Sequence, residues 1–273
     1  MSRISTCMDA ARAAGRKVLI PYLVAGDPDH DTTVALMHGL VAAGADILEL
    51  GIPFSDPSAD GAIIQLGAER ALRQGTGLAA VFSMVRRFRE QDADTPIVLM
   101  GYLNPLETMG YETFVSKAVE AGVDGVLIVD MPVMEADEFL PLATQYGLDV
   151  VFLVSPTTAQ HRLASICEHS SGYIYYVSLK GVTGAAITDA EAIGERIDAL
   201  RAYTDLPVVV GFGIKDADSA RSMAAISDGV IVGSALVQRI AGLTETGARD
   251  AAALAHCTDL MADLRKALDT MPG

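Results

Sequence analysis

A short strand passes directly into a rigid loop in the stretch ADILELGIPFSDPSADG, residues 45–61. The strand is apolar apart from Glu49, and a carboxylate in a parallel strand that is buried on both faces costs free energy unless it has a use. Gly51 and two prolines end the strand, and Asp60 follows in a loop with too many breakers for a helix or a strand. Glu49 and Asp60 can therefore face one cavity from the two ends of this loop, and both are candidate functional acids. Asp56, between them, fits a helix N-cap.

Apolar runs of similar length recur along the chain, and segments long enough for a helix separate them. The eight runs are Val18–Val24, Ile47–Leu50, Ile97–Met100, Val126–Val129, Val150–Val154, Tyr173–Val177, Val208–Val210 and Val230–Val232. The predicted helices are Thr32–Ala43, Leu78–Gln91, Glu112–Ala121, Glu135–Tyr146, Ala159–His169, Glu191–Tyr203 and Ala217–Ile226. Eight strands that alternate with helices predict an α/β fold, the closed (β/α)₈ or TIM barrel. The alternative is an open doubly wound sheet, whose fingerprint GxGxxG is missing after Val24.

The length of 273 residues and the hydrophobic content of 51% suit one domain with one large core. We expect residues 1–15 to form a capping helix, because apolar side chains recur there at helical spacing up to Gly15. Residues 16–240 then make the barrel. Residues 241–273 contain an alanine-rich helix, Ala248–Leu268, that should lie on the barrel.

A short motif recurs where a predicted helix ends and a strand begins. It reads AGAD at residues 43–46, AGVD at 121–124 and ISDG at 226–229. Glycine suits a left-handed helix C-cap, and aspartate suits a tight turn before a strand. We expect these turns at the end of the barrel that serves stability rather than chemistry.

The composition excludes several classes of function. The chain has 35 acidic and 20 basic residues, a formal charge of −15 and no basic cluster, so nucleic acid would be repelled. Its three cysteines are far apart and form no CxxC pair, which fits a reducing compartment and neither a disulfide framework nor a metal site. No apolar run approaches the length of a membrane span. We expect a soluble, cytoplasmic protein.

Polar groups and glycines cluster after the predicted strands, where barrel enzymes carry their chemistry. Asp130 follows the fourth strand and Tyr175 lies on the sixth. Glycine-rich segments follow the last three strands, at GVTG (181–184), GFG (211–213) and GS (233–234). Backbone N–H groups of such segments can surround an anion, and Ser234 opens a short predicted helix, Ala235–Ile240, with a partly positive N-terminus. The pattern predicts a phosphate site that needs no lysine.

Larger side chains near the same rim could fill the barrel or contact a substrate. Leu127 fits core filling, whereas Phe212, between two glycines, is placed to stack on a flat apolar group. Lys180 could indicate a Schiff-base aldolase, but its position beside Gly181 and Gly184 favours a mobile lid.

Residues 49–61, together with the three glycine segments, closely resemble the family of tryptophan synthase α subunits. The resemblance runs from about Arg16 to Val237. It implies a (β/α)₈ barrel that cleaves indole-3-glycerol phosphate to indole and glyceraldehyde 3-phosphate. The cleavage is a retro-aldol reaction without a Schiff base, in the last stage of tryptophan biosynthesis.

The resemblance also implies roles for individual residues. Glu49 is the general acid and base, and Asp60 accepts a hydrogen bond from the indole N–H and stabilises the positive charge. Tyr175 supports the reacting part of the substrate, and Thr183 belongs to a lid that steadies Asp60. The phosphate-binding residues are Gly184, Gly213, Gly233 and Ser234, and the indole pocket consists of Tyr22, Met100, Leu127 and Phe212. A glutamate among apolar neighbours should have a raised pKa, whereas an acid on a polar loop should stay ionised.

By the same resemblance, the chain works in an α₂β₂ complex. It needs no cofactor of its own, because pyridoxal phosphate belongs to the β subunit, which receives indole through a tunnel. The loop after the second strand and a turn near Asn104-Pro105 should face this partner, with Phe54 exposed as a contact residue. The expected interface residues are Pro53, Phe54, Asp56, Pro57 and Asn104.

The sequence departs from the family pattern at three positions. Tyr22 replaces a common phenylalanine, Ala62 replaces a frequent proline, and Lys180 occupies a variable lid position. The alternatives are another phosphate-binding barrel enzyme, such as an isomerase or a Schiff-base aldolase, and a non-catalytic subunit that only activates a partner.

Overall fold

The computed structural model describes residues 2–177, 190–211 and 213–271. Within these residues lie nine strands: β1 (Val18–Val24), β2 (Leu48–Gly51), β3 (Ile97–Gly101), β4 (Gly125–Ile128), β5 (Asp149–Val150), β6 (Leu153–Val154), β7 (Ile174–Val177), β8 (Val208–Gly211) and β9 (Gly229–Val232). The helices are α1 (Arg3–Ala13), α2 (His30–Ala42), α3 (Ala62–Arg73), α4 (Leu78–Arg89), α5 (Leu103–Met109), α6 (Tyr111–Ala121), α7 (Phe139–Tyr146), α8 (Gln160–His169), α9 (Ala190–Arg201), α10 (Ala217–Ala224), α11 (Ser234–Thr246) and α12 (Ala251–Asp269), with a short 3₁₀ helix at Val133–Glu135.

The strands are parallel and lie in the order β5-β4-β3-β2-β1-β9-β8-β7-β6. The two strands at the ends of this order are separated by only Val151 and Phe152, so they are two halves of one barrel strand. Val151 N donates to Val126 O at 2.9 Å and Tyr175 N donates to Phe152 O at 3.2 Å, which continues the pairing on both sides of the break. The sheet therefore closes on itself, and the predicted (β/α)₈ barrel is confirmed.

Side chains alternate between two cores along each strand. In β1, Ile20 and Tyr22 belong to the cluster inside the barrel, whereas Leu19 and Leu23 belong to the cluster between the barrel and its helices. This is the period-two pattern of a strand that is buried on both faces. The same alternation turns Glu49 inward, between the outward-facing residues on either side of it.

Helices α1 and α12 pack on the barrel in different places. Ile4 and Met8 of α1 pack into the inner cluster, and a Cβ atom at Gly125 would come within 2.8 Å of Ile4 Cδ1. Helix α12 packs on α2, α10 and α11. The capping helix and the extra C-terminal helix of the predicted fold are confirmed. Among the described helices, none has the length and hydropathy that a membrane crossing requires.

The structure corrects three details of the predicted elements. Helix α3 was not predicted, because its N-cap is Gly61, which provides no side-chain cap as a start signal, and its buried face includes the small residues Gly67 and Ala68. The expected turn at Asn104-Pro105 is the first turn of α5, where proline loses no hydrogen bond. Helix α11 continues to Thr246, past residue 240.

The recurring aspartates form a paired contact that we call the turn clamp. In each clamp, the N–H of a residue on one strand donates to the side chain of the turn residue before the next strand, and its C=O accepts from the backbone N–H of that same turn residue. The four pairs are Leu19 with Asp46, Ile97 with Asp124, Val150 with Ser171, and Val208 with Asp228. All four side-chain bonds measure 2.8 Å. The sequence motif revealed three clamps, and serine in place of aspartate hid the fourth.

The clamp at Asp124 also carries a buried ion pair. Asp124 Oδ1 accepts from Arg3 at 2.7 Å and Oδ2 accepts from Arg89 at 2.8 Å, and the aspartate side chain is 4% exposed. The equivalent Asp228 is 30% exposed and lies 3.4 Å from Arg201. The two turns therefore share one backbone geometry and differ in the burial of charge.

We expect Asp124→Ala to lower the free energy of unfolding by about 3 kcal/mol, because it leaves Arg89 Nη2 and the Ile97 N–H without their acceptor in a buried place. Asp228→Ala should cost about 1 kcal/mol, because water can replace the lost contacts. Urea unfolding of both variants measures the difference. Equal losses would assign the cost to the turn itself rather than to the buried ion pair.

Candidate active site

Glu49 lies in the middle of β2 and points into the barrel. Its neighbours across the sheet are Tyr22 on β1 and Val98 on β3. The residue is 0% exposed, and among the described residues neither carboxylate oxygen has a hydrogen-bond partner. Burial raises the pKa of Glu49 to about 8. Glu49 therefore holds a proton at neutral pH and can donate it to a group inside the barrel.

Asp60 is half-buried in the loop after β2. Tyr102 Oη donates to Asp60 Oδ2 at 3.1 Å, and Asp60 N donates to Pro57 O at 3.0 Å. Burial raises the pKa of Asp60, and the hydrogen bond from Tyr102 opposes this rise. The expected difference between the pKa values of Glu49 and Asp60 is therefore smaller than the sequence suggested, because the loop is less exposed to water than its composition implies. It persists because Asp60 has a donor for its anion and Glu49 has none among the described residues.

Two tyrosines bring their hydroxyl groups towards these acids. A Cβ atom at Gly51 would lie 2.3 Å from Tyr22 Oη, and one at Gly211 would lie 2.1 Å from Tyr175 Oη. Burial raises the pKa of both tyrosines, and the negative charges of Asp60 and Glu49 raise it further. Both phenols therefore stay protonated, and glycine on the next strand gives each one its space.

The expected indole-pocket residues on β3 and β4 lie side by side. Met100 pairs with Leu127, and Gly51 pairs with Met100 on the other side. Leu127 is fully buried, Met100 is half-buried, and both belong with Tyr22 to the cluster inside the barrel. They form an apolar wall next to the strand of Glu49.

Backbone groups suited to an anion lie at the start of α11. Gly233 is the N-cap, and its C=O accepts from Leu236 N and Val237 N. The first N–H groups of a helix have no partner within it, so the N–H of Ser234 is available to an anion and carries partial positive charge. A Cβ atom at Gly233 would lie 3.7 Å from Tyr22 Cβ, which places this helix end beside the pocket.

Gly213 has the left-handed φ of +74°, and apart from its chain neighbours no atom of the described residues lies within 4 Å of the place where its Cβ would be. The described part of the chain therefore leaves space for a ligand at this position. The other expected groups of this region, Thr183, Gly184 and Phe212, lie outside the described residues, as does Lys180.

The expected partner loop is more buried than its prolines suggest. Pro53 is buried and Phe54 is half-buried, whereas Asp56 and Asn104 are exposed and Pro57 is intermediate. The expectation of an exposed Phe54 is wrong. Its ring stacks on Tyr102, with ring centroids 5.4 Å apart and an angle of 30° between the planes.

No pattern in the sequence identified Tyr102 as a candidate site residue. It is 4% exposed and lies 42 residues along the chain from the aspartate to which it donates. The available signal was its place directly after β3, because the same rule selected Asp130 after β4. Asp130 Oδ1 accepts from Leu103 N at 2.7 Å, so this aspartate holds the start of α5.

Comparison with known proteins places this geometry in a family. The profile of the family described as tryptophan synthase alpha chain matches residues 8–266. A tryptophan synthase alpha chain of Thioalkalivibrio sulfidiphilus is 55% identical over 269 residues, which cover 98% of this chain and 100% of that one. The chain belongs to the tryptophan synthase alpha chain family.

Solved structures of the tryptophan synthase alpha chain family have the same fold. The α subunit of Legionella pneumophila superposes with a TM-score of 0.92 at 43% identity, covering 99% of this chain and 100% of that one. A chain from a structure described as the tryptophan synthase α₂β₂ complex of Pyrococcus furiosus superposes with a TM-score of 0.83 at 38% identity, covering 91% and 98%. Family membership confirms the resemblance found in the sequence and does not favour the isomerase or the aldolase.

We expect the stability of the protein to depend on Glu49 in a defined pH window. The pKa rises from 4.5 to about 8 on folding, so the folded chain holds a proton in this window that the unfolded chain has lost. Stability from this group therefore falls as the pH rises from 4.5 to about 8. Glu49→Gln removes the loss, and its stability relative to the parent chain should increase across the window by at most about 5 kcal/mol.

Urea unfolding at several pH values measures this difference. The matched control is Asp56→Asn, which removes an exposed carboxylate from the loop after β2. Its stability relative to the parent chain should show no comparable increase. A constant difference for Glu49→Gln at all pH values would show that water reaches the carboxyl group.

Proposed function

We propose that this chain cleaves indole-3-glycerol phosphate to indole and glyceraldehyde 3-phosphate, in the last stage of tryptophan biosynthesis. The main support is the buried carboxyl group of Glu49, which carries a proton at neutral pH inside a barrel of the tryptophan synthase alpha chain family. A retro-aldol cleavage needs such a proton, because the departing ring carbon must be protonated before the carbon–carbon bond breaks.

The proposed reaction begins when Glu49 protonates the indole carbon that carries the glycerol chain. This creates positive charge on the ring, and Asp60 stabilises it by accepting a hydrogen bond from the indole N–H. The Glu49 carboxylate then takes the proton of the hydroxyl group on the glycerol carbon that is attached to the ring. The bond between this carbon and the ring breaks, and its electron pair returns to the indole. The carbon becomes the aldehyde of glyceraldehyde 3-phosphate.

The different surroundings of the two acids suit these roles. Glu49 has no hydrogen-bond donor among the described residues, so its neutral form is favoured and it can act as an acid. Asp60 receives a hydrogen bond from Tyr102, which favours its anion. A neutral donor and an anionic acceptor in one cavity form the pair that the reaction requires.

The remaining groups of the pocket would orient the substrate. We assign the indole ring to the wall formed by Tyr22, Met100 and Leu127, with Phe212 on another side. Tyr175 would contact the reacting part of the glycerol chain, and Thr183 would close over the site and steady Asp60.

The phosphate group would bind at the late strands. The backbone of Gly213 and Gly233, the hydroxyl group of Ser234 and the N-terminus of α11 supply donors without a lysine. Gly184 would complete the site. A neutral set of donors explains how a chain with a formal charge of −15 can hold an anion.

We assign the chain to an α₂β₂ assembly with a β subunit that carries pyridoxal phosphate and consumes the indole. Exposed Asp56 and Asn104 and half-buried Phe54 would lie at the interface, with Pro53 and Pro57 supporting the loop. The proposed cleavage uses acid–base groups of this chain and no cofactor. We expect the protein to act in the cytoplasm.

We expect Glu49→Gln to lower kcat for indole release by roughly 10²–10⁴-fold, because glutamine has the shape of glutamate and no transferable proton. The measurement is indole formation by the purified chain from indole-3-glycerol phosphate, with and without a β subunit. The matched control is Glu69→Gln, on the exposed face of α3, which should leave kcat unchanged. No indole from the parent chain under either condition would refute the proposed function, and full turnover by Glu49→Gln would refute the role of this acid.

We expect Gly213→Val to raise KM roughly tenfold or more, because a branched side chain would fill the space left for phosphate. The control is Gly247→Val at the end of α11. Gly247 has a similar φ of +68° and similar open space, so it reports backbone strain alone. Steady-state kinetics with indole-3-glycerol phosphate should show the higher KM only for Gly213→Val. An equal KM for the two variants would remove Gly213 from the phosphate site.

A further inference from the structure

Tyr102 contacts both ends of the loop after β2. It directly follows β3, forms the N-cap of α5 and is almost fully buried. Its hydroxyl group contacts the end of the loop that carries Asp60. Its ring contacts the beginning of the loop, at Phe54.

The hydroxyl group is held by two hydrogen bonds. Ala59 N donates to Tyr102 Oη at 3.1 Å, and Tyr102 Oη donates to Asp60 Oδ2 at 3.1 Å. A hydroxyl oxygen that accepts a bond becomes a better donor through its hydrogen, so the first contact strengthens the second. Asp60 is thereby fixed by a group from another strand as well as by its own loop.

The ring of Tyr102 couples this contact to the surface. It stacks on half-buried Phe54, and the exposed residues Ser55 and Asp56 follow directly. The backbone just after Tyr102 is fixed by the bond from Leu103 N to Asp130 Oδ1. Phe54, next to the exposed segment, therefore packs on a tyrosine whose own backbone is anchored.

We propose that Tyr102 is a positioning residue that transmits movement of Phe54 to Asp60, so that a protein bound over Phe54, Asp56 and Asn104 sets the place of Asp60 against the substrate. This inference rests on the proposed function, in which Asp60 accepts a hydrogen bond from the indole N–H. Tyr102 does not touch the reacting atoms. It acts through the orientation and the ionisation of the carboxyl group beside it.

Among the described residues, the ionisable groups close enough to interact with Asp60 include Tyr102, Tyr22 on β1 and Tyr175 on β7. Burial raises the pKa of Tyr22 and Tyr175, and the negative charges of Asp60 and Glu49 raise it further. Among the described residues, Asp60 takes part in no ion pair. Within the described ranges, the bond from Tyr102 therefore has no cation to compete with in stabilising the Asp60 anion.

The test compares Tyr102→Phe, which keeps the ring and removes the hydroxyl group, with Phe54→Leu, which removes the stacked ring and keeps the hydroxyl bond. The control is Tyr111→Phe, which removes the hydroxyl group of an α6 tyrosine that donates to the exposed Glu107. Indole formation is measured from pH 5.5 to 9, for each chain alone and with saturating β subunit. The pKa of Asp60 is followed separately by NMR of its carboxyl carbon.

We expect Tyr102→Phe to lower kcat about tenfold with little change in KM, and to move the acidic limb of the pH profile upward by about one unit. The NMR pKa of Asp60 should rise in this variant and not in Tyr111→Phe. Activation by the β subunit should fall in both Tyr102→Phe and Phe54→Leu, and the double variant should be no worse than the poorer single one.

Each failure has its own meaning. An unchanged pKa of Asp60 together with parent-like activation of Tyr102→Phe would overturn the positioning role. Additive losses in the double variant would overturn the link to Phe54. A parent chain that releases no indole would refute the proposed function, and the inference that rests on it would fall with it.

Discussion

The burial of the Glu49 carboxyl group inside the barrel links the packing of this structure to its proposed chemistry. Glu49 lies on β2 among apolar neighbours, where its charged form is costly and its neutral form is tolerated. The barrel provides this dry position because its strands carry apolar side chains on both faces. The alternation of β2 turns Glu49 to the inside, where a substrate can meet it, rather than under a helix. The register of β2 therefore determines both how this strand packs and where the carboxyl group of Glu49 lies.

The residues around this carboxyl group are matched in size. Glycine at positions 51 and 211 lies where the hydroxyl groups of Tyr22 and Tyr175 need room. A larger side chain at either glycine would collide with a phenol that lines the pocket. The polar ends of the tyrosines are thus kept inside the barrel by the absence of side chains on the neighbouring strands.

The sequence predicts those features that break a local pattern. Glu49 interrupts an apolar strand, and the glycines of the late strands interrupt helix and strand alike, so both are visible without coordinates. Helix α3 is hidden because Gly61 begins it without a capping side chain and its buried face is made partly of small residues. Tyr102 is hidden for a different reason. Its partners, Phe54 and Asp60, lie far away in sequence, and the pairing of β2 with β3 brings the ends of these two strands together.

The turn clamps give the amino-terminal end of the barrel a fourfold repeat. Each clamp joins two neighbouring strands of the barrel: β1 to β2, β3 to β4, β5 to β7, and β8 to β9. Here β5 stands for the barrel strand of which β6 is the second half. The end remote from the pocket is thus held by a side-chain contact at every second gap between strands, and a backbone bond, such as that from Val18 N to Asp228 O, joins the strands at each gap between. Loss of one clamp side chain therefore weakens one pair of strands while the backbone bonds on either side keep this end of the barrel closed.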